Sequence, residues 1–374
     1  MKNACLILLT WWSVVLGAHE TVPWWGPVAS VADVEKGVMS IGWRVPQASK
    51  SRFEIWDDQG IKQSNVVESN NRGICRVMIE GLNADSLYNY RVCSEENICS
   101  DVYSFRTPPT LGEFKPFTFL VYGDAQLNND VHKNVANAMA RENASFAVLV
   151  GDAVETPTEA EWTRFFECAR SLLSTTLFYS VLGNHEQNSN WYYDFYEFPK
   201  GGGKDGDQWW AFWWGDVLFV GLDSNLQYLS AANFALFDKE TLWLETVLAK
   251  EARYKFVFFH HPPFCSHPWA NIALAATWAP LFEQYHVTAV FSGHIHFYEH
   301  LVRNTVHYFV TGGGSDPTSR LHSPRADGSV TGIEGIPHYL CVTVDFSGVT
   351  VRMVAVHGPK TTVMDTLYIF PNEP

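Results

Sequence analysis

An α/β layered domain preceded by a small all-β sandwich is the fold class that this sequence predicts, on three observations. Short β-type runs fill the first quarter of the chain, two adjacent prolines interrupt it, and the rhythm then changes to strand, polar turn, helix and strand. From about residue 20 to 108 the runs are VMSIGWRV, SRFEIWD, CRVMIEGL, LYNYRVC and VYSFRTPP, separated by turn residues. Such spacing suits a small antiparallel sandwich. Pro108 and Pro109 mark its end, and residues 112–374 form the second domain. There, 117–122 is an apolar run suited to a buried strand, and 131–142 has helical spacing. Next come a strand at 146–150, a helix at 159–173 and a strand at 177–182. QWWAFWWG and VLFVGLD read as a hairpin, 233–250 as a helix and KFVFFH as a strand. One helix over 272–285 precedes the strand VTAVFSG, and the carboxyl end is again β-rich. This alternation is the signature of an α/β domain.

Composition bounds the function. The 374 residues are 47% hydrophobic, which is ample for two cores. Acidic residues outnumber basic ones by 40 to 26, and a net charge of −14 repels polyanions. Binding driven by a nucleic-acid backbone is therefore not expected. A small phosphate ester is not, because bound divalent cations reverse the field locally.

Residues 1–18 carry Lys2 and then ACLILLTWWSVVLGA, the pattern of a signal peptide. That apolar run is shorter than the roughly 20 residues a membrane span needs. The mature protein is expected to be secreted or periplasmic, with no membrane span after signal removal. Loss of Cys5 with the signal leaves Cys75, Cys93, Cys99, Cys168, Cys265 and Cys341, without a CxxC pattern. Cys93 and Cys99 flank SEENI between two strand-like runs, as a disulfide across a hairpin or as two free thiols. The others read as small buried apolar groups.

Polar residues cluster directly after apolar strands. Residues 117–122 end in Gly123-Asp124-Ala125-Gln126, 146–150 in Gly151-Asp152-Ala153-Val154-Glu155, and 177–182 in Gly183-Asn184-His185-Glu186. KFVFF ends in His260-His261-Pro262-Pro263, and VTAVFS in Gly293-His294-Ile295-His296. Carboxyl ends of strands share one rim of an α/β sheet, so five segments should converge on one crevice. Carboxylate and imidazole are the ligands that transition metals accept there. Any one of these residues alone would more simply be a turn former or a cap.

The ordered set GDx, GDxx, GNHE, a strand-terminal His and GHxH resembles the calcineurin-like metallophosphoesterase superfamily. With the sandwich in front and GHxHxYE at the last motif, the closest resemblance is to purple acid phosphatase-like proteins. GLNADSLYNYRV, followed by FRTPP, resembles a fibronectin type III module, with Leu82 and corner Tyr88 in that family's places. The resemblance implies a four-layer β-sandwich flanked by helices, and two metal ions (Fe, Zn or Mn). Asp152 would bridge them, Asp124 and His296 would hold the first, and Asn184, His260 and His294 the second. Such a pair generates a nucleophile from water and stabilises attacking and leaving oxygens. His185 would steady the phosphate and protonate the leaving alcohol. Purple acid phosphatases carry a Tyr ligand where this chain has Glu155, so Gln126 or Glu155 would replace it at the first ion.

His267 joins His185 as a substrate-contact residue. His261 and His300 stay open between substrate contact, support of a ligand and plain surface. The pairs Trp24–Trp25, Trp209–Trp210 and Trp213–Trp214 suit domain packing better than sugar stacking, and the run Gly312–Gly314 suits a tight turn better than phosphate contact. The expected activity is hydrolysis of a small phosphomonoester. A phosphodiesterase of the same superfamily, or a non-catalytic exported binding protein on the same fold, is the alternative.

Overall fold

The computed structural model describes residues 25–33, 36–45, 50–226 and 231–370. The expected signal peptide and Trp24 lie outside them. Seven strands come first: β1 (Trp25–Asp33), β2 (Val38–Arg44), β3 (Lys50–Asp57), β4 (Gly60–Glu68), β5 (Ile74–Ile79), β6 (Leu87–Ser94) and β7 (Tyr103–Arg106). They form two antiparallel sheets, ordered β1-β2-β5 and β4-β3-β6-β7. Trp43 of one sheet stacks on Phe53 of the other at 6.0 Å between ring centroids. Tyr88 accepts a 2.9 Å hydrogen bond from the Asn83 amide, which pins the turn before β6. Cys93 and Cys99 are joined in a disulfide, and the other described cysteines are buried thiols.

The second region contains β8 (Phe117–Tyr122), α1 (Asn129–Met139), β9 (Phe146–Leu149), α2 (Glu159–Leu173), β10 (Leu177–Ser180) and α3 (Asn190–Phe195). It continues through β11 (Trp210–Trp214), β12 (Val217–Gly221), α4 (Ala231–Leu248), β13 (Lys255–Phe258), α5 (Ile272–Thr277), α6 (Ala279–Gln284) and β14 (Ala289–Ser292). The last strands are β15 (Tyr298–Arg303), β16 (Val306–Thr311), β17 (Ser329–Ile333), β18 (His338–Val344), β19 (Val349–His357) and β20 (Lys360–Ile369). Side-chain caps start the helices: Asn128 accepts from Asp130 N and Val131 N, and Thr158 accepts from Glu161 N. The helix expected over 272–285 is two short helices. Pro280 cannot donate to the preceding turn, so the first helix stops and a second begins with the proline in its first turn.

These strands make a six-stranded sheet, β10-β9-β8-β18-β19-β20, and a seven-stranded sheet, β11-β12-β13-β14-β16-β15-β17. Side chains alternate across each sheet. Phe119, Phe146, Phe219, Phe256, Phe258 and Phe291 fill the space between the sheets, with ring centroids 5.0–6.3 Å apart. Their neighbours Leu218, Val220, Val257 and Val290 point outward and pack with Leu244 of α4 and Phe282 of α6. Both faces are therefore buried, which is why the strands read as unbroken apolar runs. Helices α1 and α2 cover the six-stranded sheet, so the layers run helix, sheet, sheet, helix, as expected.

The two regions share one core. Trp25 is fully buried, stacks on Phe166 of α2 at 5.3 Å, and donates to Thr163 Oγ1. The Val31 amide donates to the Tyr179 hydroxyl on β10, and Arg44 pairs with Glu159 at 2.7 Å. Trp209, Trp210 and Trp214 are buried as well, so these indoles pack the interior.

Candidate metal centre

The parallel strands β8, β9, β10, β13 and β14 deliver Asp124, Asp152, Asn184, His185, His260, His261, His294 and His296 to one rim. Asp124, Asp152 and His294 adopt left-handed backbone conformations, with φ of 62°, 57° and 66°. Each is a turn that bends the chain away from its strand and aims the side chain inward, at an energetic cost on the order of 1 kcal/mol. Glycines make room for them. A Cβ at Gly183 would lie 2.1 Å from Asp152 Oδ1, and one at Gly312 would lie 2.7 Å from Asp124 Oδ2. The 312–314 run therefore packs against the Asp124 carboxylate, the His338 ring and the Gly123 carbonyl.

His260 is the pivot. Its Nδ1 donates to the Val150 carbonyl at 2.8 Å, which turns Nε2 toward the crevice. Nε2 lies 3.1 Å from Asp152 Oδ2, 3.1 Å from Asn184 Oδ1 and 3.3 Å from His294 Nδ1. Four electron-rich atoms facing one another in a buried pocket call for a cation. Burial opposes charge on His260, yet the Asp152 carboxylate outweighs it and lifts the imidazole to about 10. Asp124, Asp152 and His260 carry candidate ligand atoms within 4.8 Å of one another, and so do His260, His261 and His294.

On the other side, His296 Nε2 stands 3.3 Å from Asp124 Oδ1, while its Nδ1 meets Thr318 Oγ1 at 3.1 Å. Gln126 is 8% exposed, and its Oε1 is buried without a hydrogen-bond partner among the described residues. An orphaned amide oxygen beside a buried carboxylate fits a metal ligand. Glu155 is placed differently. Its half-exposed carboxylate approaches the His185 ring at 3.7 Å.

His185 Nδ1 donates to the Glu155 carbonyl at 2.8 Å, leaving Nε2 toward the cleft, 3.9 Å from Asp152 Oδ2. Partial burial works against its charged form, but Asp152 and Glu155 win and raise its pKa. The His185 amide also donates to Asp152 Oδ1 at 2.9 Å. His300 lies away from this rim. It is buried in the sheet with its Nε2 3.0 Å from His307 Nδ1, because alternation along β15 turns it onto β16.

Several contributors escaped the sequence reading. Glu186, 1% exposed, accepts from the amides of Asp152, Ala153 and Gly183 at 2.6–3.0 Å and so fixes two of the rim turns. Burial and the adjacent Asp152 push its carboxyl up to about 7. Ser224 Oγ meets His261 Nδ1 at 2.9 Å. Glu299, fully buried, accepts from the amide and hydroxyl of Ser266, whose carbonyl in turn accepts from the His322 amide. That places His322 5.1 Å from His267, ring to ring. Glu186 and Glu299 both sat in quoted motifs, GNHE and GHxHxYE, without an assigned role.

Two clefts meet at the centre, both bordered by His294 and Trp269. One, of about 520 Å³, is lined by Gln126, His185, His267, His296, Arg320 and His322. The other, of about 730 Å³, runs past Asn184, Gln187, Asn225, Leu226 and Pro268.

Residues 117–298 match the calcineurin-like phosphoesterase family. The chain is similar to purple acid phosphatases. It is 27% identical to purple acid phosphatase 18 of Arabidopsis thaliana over 276 residues, which are 68% of this chain and 58% of that one. The chain thus spans little more than half the length of that relative. Its fold matches purple acid phosphatase PPD1 of yellow lupin (Lupinus luteus) with a TM-score of 0.75 at 14% identity, covering 92% of this chain and 74% of that one. It matches PhoD with the same score and identity, covering 95% and 92%. Among the described residues no helix is long and apolar enough to cross a membrane.

Proposed function

We propose that this chain is an exported hydrolase of phosphomonoesters that works with two metal ions. The observation that carries the reading is the convergence of Asp152 Oδ2, Asn184 Oδ1 and His294 Nδ1 on His260 Nε2, with Asp124, His296 and Gln126 beside them. Asp152 has two oxygens to share and stands between the groups; Asp124, His296 and Gln126 would hold one ion, and Asn184, His260 and His294 would hold the other. Iron, zinc or manganese suits these donors. When bound, two such ions would polarise the phosphate and supply a nucleophile from water at neutral pH.

The chain's own residues do the rest. His185 Nε2 faces the smaller cleft and donates a proton to the departing alcohol, its ring held by the Glu155 carbonyl. His267 and His322 flank the path of the ester. Export is supported by the amino-terminal pattern and by the Cys93–Cys99 disulfide, a bond of oxidising compartments. The front sheets pair as in a fibronectin type III module, which supports that assignment for the first domain. Release of p-nitrophenol from p-nitrophenyl phosphate, with manganese, zinc or iron added between pH 4 and 9, tests the activity. Absence of turnover under every condition would leave a non-catalytic binding protein.

A further inference from the structure

A monoester whose leaving group meets His185 leaves the larger cleft unfilled. A monoester has one substituent, the leaving group, and its oxygen must reach His185. His185 lines the smaller cleft and is absent from the larger one. A phosphate seated between them at His294 would then send a second substituent, one that stays on phosphorus, past Asn184 into the 730 Å³ space.

We infer that this space is a subsite for the retained group of a phosphodiester, and that the group is flat and uncharged, of the nucleoside or aryl type. The inference rests on the hydrolase reading above. The lining names the chemistry. Trp269 is 61% exposed and offers an open indole face, Leu226 is a buried apolar floor, and Pro268 and Ala270 continue the apolar wall. Gln187 and Asn188 bring amide groups that donate and accept in the plane of a base. No Lys or Arg lines the cleft among the described residues, and the Asp223 carboxylate on its wall disfavours an anion. The smaller cleft has Arg320 and imidazoles instead. In the reaction a water oxygen forms the new P–O bond. The P–O bond on the His185 side breaks, its electron pair leaves with the departing oxygen, and that oxygen takes the proton. A monoester of the retained group and a free alcohol result.

The test compares three p-nitrophenyl esters: the mixed diester with thymidine 5′-phosphate, the mixed diester with methyl phosphate, and p-nitrophenyl phosphate. The thymidine diester should exceed the methyl diester in kcat/KM by about tenfold, the order that stacking of a base on an indole supplies. Ala270→Trp fills the cleft and should bring that ratio near one. Equal rates for the two diesters, or a preference that survives Ala270→Trp, would overturn the subsite while leaving the hydrolase reading intact. If all three esters are inert, the hydrolase reading fails separately. Calorimetric titration with phenylphosphonate and methylphosphonate then reads the cleft without turnover: tighter binding of the phenyl compound, lost in Ala270→Trp, supports it, and equal binding overturns it.

Discussion

The two halves of the centre are built to different tolerances. Around His260 the donors stand 3.1–3.3 Å apart, the imidazole is fully buried, and its far nitrogen is tied to the chain at Val150. Around Asp124 the corresponding approach to an imidazole nitrogen is the 3.3 Å contact to His296, and Gln126 holds an oxygen without a hydrogen-bond partner among the described residues. A half whose donors are already gathered spends little on ordering them when a cation arrives; the other half gathers as it binds. The His260 half should therefore bind its ion more tightly, and the Asp124 half should exchange.

The hardest blow to this contrast is Asp152→Asn, since Asp152 stands between the halves. Elemental analysis should show both ions depleted, and activity should fall by roughly 10³-fold or more, as when a preorganised electrostatic element is removed. Two tightly held ions in that variant would refute the shared carboxylate. His185 belongs to neither half. His185→Ala should keep the metal content and lose about 10²- to 10⁴-fold in rate for poor leaving groups, with a smaller loss for p-nitrophenyl phosphate. An equal loss for every leaving group would remove the acid role.

Glu186→Gln sharpens the comparison, because Glu186 accepts from the turns that carry Asp152 and Asn184 and makes no hydrogen bond to Asp124, His296 or Gln126 among the described residues, so its loss should weigh most on the His260 half. Affinity of the tighter site should drop by about 10- to 100-fold, the usual effect of a group that orients ligands. The smallest effect belongs to Gln126→Ala, with a loss of about tenfold or less confined to the exchangeable ion. Unchanged affinity there would move the assignment to Glu155. Iron-loaded protein should also lack a strong visible band, because Glu155 occupies the tyrosinate position; an intense purple colour would contradict this.

Much of the arrangement was legible because parallel strands place their carboxyl ends together. Five polar segments after five apolar runs could be assigned to one rim without coordinates, and helix α2 and strand β8 begin and end where their patterns do. Three kinds of feature were not legible. Strands β1 and β4 and helix α3 have weak periodicity and form through tertiary packing. His300 directly follows the GHxHxYE motif, but strand alternation sends it into the sheet. Arg320 and His322 reach the cleft from irregular loops, where placement depends on buried partners as distant in sequence as Ser266 and Glu299.

Trp25 carries a consequence for how the molecule comes apart. Its ring sits in the same apolar core as β10, the strand that leads to Asn184 and His185, and β1 is bonded to Tyr179 of that strand. Separating the front sheets would expose this indole together with Phe166 and Phe195 and break the Arg44–Glu159 pair in the same event. Heat should therefore melt both regions in one calorimetric transition, and the front module acts as a permanent splint on the active rim.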